Sequence, residues 1–94
     1  MTILEELYES VKHLLGEGNP GMSEKDLTET SAKIVYYVFA KFNNFENILK
    51  GFRQEINTLY GDKFVEHIKT NLPEVEEQIL ATTPEQFDKW FEQF

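Results

Sequence analysis

The chain has 94 residues and no cysteine. That is enough for one small domain resting on a packed core, and it removes disulfides, thiolate nucleophiles and cysteine-bound zinc from consideration. The net charge of −8 repels phosphate and speaks against direct nucleic-acid binding, while the lack of any apolar run approaching ~18 residues or of a basic-then-apolar leader speaks against a membrane span or a signal peptide. A cytoplasmic, single-domain protein with no membrane contact is the expectation.

Thr2 and Glu5 form a capping-box pattern that opens the first helix. Ile3, Leu4, Leu7, Tyr8, Val11, Leu14 and Leu15 follow helical spacing, and Gly16 is expected to stop it. Gly16 to Gly21 reads as a turn-rich connector. No Gly-Lys-Ser/Thr follows, and the glycines do not match dinucleotide spacing.

Ser23 with Asp26 gives a second cap, opening a helix that runs to about Phe42. This helix holds the most apolar run of the chain, residues 34–42, and is the expected centre of the core. Leu27, Ile34, Val38 and Phe42 share one face, Val35 and Phe39 broaden it, and Tyr36, Tyr37 and Ala40 make the segment apolar nearly all round. Ile34 to Phe39 is also strand-like in composition. The flanks hold no Gly or Pro to bound a short strand, which favours helix.

Asn43 and Asn44 break that helix, and Asn44 caps a third carrying Phe45, Ile48, Leu49, Phe52, Ile56, Leu59 and Tyr60 on one face. Gly51 inside it suggests a close approach between helices. Gly61 is expected to end the third helix and Asp62 to cap a fourth, with Phe64, Val65, Ile68 and Leu72 turned inward. Pro73 suits a first turn, so a short helix with Val75, Ile79 and Leu80 follows. Thr83, Pro84 and Gln86 start a last helix with Phe87, Trp90, Phe91 and Phe94 at helical spacing. The fold class is therefore all-α: a compact single-domain bundle of about five to six helices, mostly antiparallel neighbours.

Catalytic and cofactor patterns are absent. His13 and His67 have no partner at metal-ligand spacing, although Glu9 lies one turn before His13. No calcium loop occurs. Asp62 and Glu66 share a face as carboxylates on any acidic helix do, and none of the three serines sits in a nucleophile elbow. Lys41, Lys50 and Arg53 flank Tyr36 and Tyr37, a pattern that can bind single strands by stacking; the net acidity opposes it. No enzyme activity, metal or cofactor is expected.

The charge is unevenly placed. Residues 1–29 hold seven acids against Lys12 and Lys25, and residues 70–94 hold six against Lys89, while residues 30–69 carry six bases against four acids. Acidic ends favour a basic protein as partner, and acidity also serves solubility. The C-terminal stretch joins both features. Trp90 is a candidate anchor among Glu85, Asp88 and Glu92, with Glu74, Glu76 and Glu77 upstream. Its aromatic face either docks into the core or stays partly exposed for a partner. The expected function is a small acidic protein that binds and neutralises a larger basic one, similar in size, charge and helicity to immunity proteins, antitoxins and phage inhibitors of nucleic-acid enzymes. The alternative is a structural, adaptor or chaperone-like subunit of a larger assembly. A homodimer is compatible with either.

Overall fold

Side-chain caps start three helices where the sequence places them. The structure, a computed structural model, describes residues 2–43 and 55–93, with side chains from residue 60 onward in the second stretch. In chain order the described residues form α1 (Ile3–Gly18), α2 (Glu24–Asn43), α3 (Glu55–Asn71), α4 (Pro73–Ala81) and α5 (Pro84–Phe91), with no strand among them. The Glu5 amide donates to Thr2 Oγ1 at 3.3 Å and the Asp26 amide to Ser23 Oγ at 3.1 Å. At α5 the box is complete: the Gln86 amide donates to Thr83 Oγ1 at 3.2 Å, and the Thr83 amide donates back to Gln86 Oε1 at 2.9 Å. Each satisfies amides that a helix start leaves without a partner.

The centre of the molecule is α2. Ile34, Val35, Val38 and Phe39 are all at most 1% exposed, and Ser31, Ala32, Tyr37 and Ala40 are buried with them. Burial nearly all round follows from neighbours on several sides. Leu4, Leu7, Val11 and Leu15 arrive from α1, Val65 and Ile68 from α3, Ile79 from α4 and Phe87 from α5. The radius of gyration is 12.5 Å, against the ~12 Å expected of a compact domain this size.

Two helix ends differ from the sequence expectation. Gly16 does not stop α1, which continues to Gly18. The Asn19 side-chain amide donates to the Leu15 carbonyl at 3.0 Å and closes the last turn there. Lys12 Nζ then joins Glu24 Oε1 at 2.7 Å, linking α1 to the start of α2.

The larger difference is at Gly61. It does not end a helix, and Asp62 does not cap one; α3 runs through both. Gly61 is there because Tyr37 of α2 lies across it. A Cβ at this position would sit 2.7 Å from Tyr37 Cε1 and closer still to Cδ1. Asp62, one residue on, accepts a 2.5 Å hydrogen bond from the Tyr37 hydroxyl. The missing side chain and its neighbouring carboxylate thus form a seat for one ring. The close helix approach expected at Gly51, the cap at Asn44, the apolar side chains from Phe45 to Leu59, the bases Lys50 and Arg53, and Phe94 lie outside the described residues or side chains.

Leu72, expected on an inner face, is 40% exposed, and two further leucines of the helical stripes, Leu14 at 53% and Leu80 at 51%, are also outside. Leu15 and Ile79 take the inward positions beside Leu14 and Leu80. One residue along a helix turns the side chain by about 100°, so on a helix that meets the core along one face, unlike α2, one member of such a pair is left outside. Leu72 is the N-cap of α4, where the chain turns between helices.

Candidate protein-binding surface

The acidic side chains singled out in the sequence occupy α4, α5 and, for Glu92, the C-cap of α5. Glu74, Glu77, Glu85, Asp88 and Glu92 are exposed, and Glu76 is half-buried. Among the described residues the ion pairs are Lys12–Glu24 and His13–Glu17, so none of these six carboxylates pairs with a base among those residues. Lys89, the one base on these two helices, is likewise unpaired among the described residues. His13 meets Glu17, one turn ahead, at 2.9 Å rather than Glu9, one turn behind.

Several lysines elsewhere lie over aromatic rings. Lys41 is 5.7 Å from the centroid of Tyr37, Lys63 5.9 Å from Tyr60 and Lys69 5.8 Å from Phe42. Their charge is spread over α2 and α3. Tyr37, a candidate for stacking on a nucleic acid, is buried at 4% exposure.

The aromatic face of α5 is docked. Phe87 is 2% exposed and stacks on Phe39 with centroids 5.1 Å apart. Tyr36 packs against both Phe87 and Phe91 at 4.6 Å. Burial, and secondarily the charge of nearby Asp88, pushes the Tyr36 hydroxyl above its ordinary pKa. Trp90 is half-buried, edge-on to Tyr8 of α1 at 6.0 Å and tilted against Phe87 at 6.0 Å.

Trp90 also reaches the surface. It lines an open groove of about 570 Å³ where the first turn of α1 meets α5. Ile3, Leu4 and Trp90 supply apolar lining, and Glu5, Gln86 and Lys89 are among its polar members. The ring is therefore both packed against the core and part of a recess. Trp90 stands out in the sequence, but Ile3, Leu4 and Glu5 do not, because no local spacing relates the first turn of the chain to the last helix. The one signal for them is that the stripe of α1 starts at Ile3, directly after the cap, so its first turn needs an apolar neighbour.

Among the described residues no three His, Asp or Glu side chains gather to hold a metal ion, and no helix is long and apolar enough to cross a membrane. No family model, curated protein or solved structure matches this chain.

Proposed function

We propose that this chain is a small acidic binding protein that occupies a cationic surface of a larger basic protein and so neutralises it, in the manner of an immunity protein, an antitoxin or a phage inhibitor of a nucleic-acid enzyme. The supporting observation is the surface of α4 and α5, where Glu74, Glu77, Glu85, Asp88 and Glu92 are exposed and lack an ion-pair partner among the described residues. Unpaired carboxylates keep their field available to an incoming cation, whereas a surface laced with ion pairs would cancel it. A field of this kind raises the association rate, and contacts formed after encounter set the lifetime.

The test is surface plasmon resonance against the basic protein recovered by a tagged pull-down from native lysate. Changing Glu85, Asp88 and Glu92 together to Lys is expected to slow association strongly at low salt. The gap from wild type closes as the screening length falls from ~30 Å at 0.01 M to ~3 Å at 1 M. An association rate untouched by the triple reversal rejects the reading. The adaptor alternative draws on a different feature, the exposed Leu14, Leu72 and Leu80; it predicts a partner whose binding is insensitive to salt and lost when these leucines become polar.

A further inference from the structure

We propose that the groove between the first turn of α1 and α5 receives an aliphatic side chain flanked by lysine or arginine, presented by the basic partner. This rests on the acidic-inhibitor reading and assigns it a recognition point.

The apolar half of the argument is the lining. Ile3 and Trp90 are half-buried, and with Leu4 they face an open recess of about 570 Å³. Seating an aliphatic group there removes apolar surface from water on both sides. The aromatic ring supplies a broad, rigid wall that costs little rotamer entropy to use.

The charged half is the surroundings. Glu5 lines the groove, and Glu6, Glu85 and Glu92, each next in sequence to a lining residue, are exposed; Lys89 is the one base in the lining. Within the lining Glu5 and Lys89 cancel, so the excess of acid that favours a cation at the rim comes from the three flanking carboxylates. An anion has little to hold it, although two helix starts lie close by. The Glu5 amide is taken by Thr2 Oγ1 and the Glu6 amide by the Thr2 carbonyl, while the Gln86 and Phe87 amides are taken by Thr83. The third amide of each helix is thus taken by its own cap, and the carboxylates around the groove repel an anion from the amides ahead of it.

Trp90 is the only tryptophan in the chain, so its fluorescence reports on the groove directly. Three acetylated, amidated five-residue peptides are titrated into the full chain at low salt. One has a central leucine between pairs of lysines, one replaces that leucine by glycine, and one flanks leucine with glutamates. The expected result is a saturable change in emission with the leucine–lysine peptide. The glycine peptide binds about tenfold more weakly and the glutamate peptide not at all. Glu5→Lys weakens the leucine–lysine peptide about fivefold, and Ile3→Ala weakens it in the same direction. Glu29→Lys, an equal charge change outside the groove, has no comparable effect. Circular dichroism checks that each variant stays helical.

Equal affinity for the leucine and glycine peptides, no saturable change with either, or equal weakening by Glu29→Lys would overturn the proposal. So would an emission change that appears on concentrating the chain alone, which would give the groove to a second copy. The two readings fail separately. If the recovered partner binds Glu5→Lys and Ile3→Ala normally but loses the triple reversal on α5, the inhibitor reading stands and the groove proposal falls. If the triple reversal leaves association unchanged, the inhibitor reading falls whatever the peptides do.

Discussion

In an ordinary helix, replacing glycine by alanine stabilises by about 1 kcal/mol. At Gly61 the sign reverses, because the added methyl would land on the ring of Tyr37, a buried and immobile obstacle rather than a flexible chain end. Gly61→Ala is expected to lower the denaturation midpoint by an amount worth about 1–3 kcal/mol. Gly21→Ala, with nothing near its added Cβ, serves as the comparison. Equal midpoints would mean the two helices do not meet there. Tyr37 itself carries a pH signature. Burial, then the hydrogen bond to Asp62 and that carboxylate's charge, pushes its hydroxyl up to about 12. An unfolded tyrosine titrates at ~10. The folded state holds the proton more tightly, so the linked stability is complete below ~10 and is lost as pH rises towards about 12. Wild type is expected to lose stability steeply in that window and Tyr37→Phe less so. At neutral pH Tyr37→Phe costs about 1 kcal/mol, the worth of one hydrogen bond. Parallel pH slopes for the two proteins would reject the assignment.

At the scale of elements, α5 shows how a helix too short to persist alone is kept in place. Its capping box satisfies the first amides, and its rings fill the gap between Tyr8 and Tyr36. Phe87→Ala is expected to cost about 3–5 kcal/mol, since an almost fully buried ring would leave a cavity. Thr83→Ala is expected to cost about 1 kcal/mol. Chemical denaturation checks both, and a midpoint unmoved by Phe87→Ala would show that α5 is not docked. Phe39→Ala or Val38→Ala, in the middle of α2, belongs to the same class at about 2–5 kcal/mol. The start of α5 is legible in the amino-acid sequence, because Thr83, Pro84 and Gln86 place cap and first turn within four residues. The continuity of α3 is not. Gly followed by Asp is an ordinary stop-and-start signal, and only the ring seated on Gly61 explains why the helix passes through.

The whole molecule carries −8, with few ion pairs to offset it among the described residues. Self-repulsion therefore opposes the compact state. Raising the salt concentration from low to physiological is expected to raise the denaturation midpoint, since screening weakens repulsion more than it weakens the few exposed attractions. A midpoint that falls with added salt would show that attractive pairs dominate. The same excess of acid is the feature on which a cationic partner would act. Stability and association should thus respond to salt in opposite directions, the fold strengthening as long-range steering is lost.

The amino-acid pattern alone determined the helical class, the centrality of residues 34–42 and the caps at Thr2, Ser23 and Thr83. Each rests on bonds or spacings that close within a turn or two, where the chain's own neighbours settle the matter. Only the tertiary structure decided whether Gly61 would end a helix or seat a ring, which leucines were left outside, and that Ile3 and Trp90 share one recess. These depend on which distant element arrives at a position. Tyr37 and Asp62 are 25 residues apart when they bond, and the groove joins the first turn of α1 to the last helix. Hydrophobic spacing marks a residue as able to be buried; packing against a particular neighbour determines whether it is.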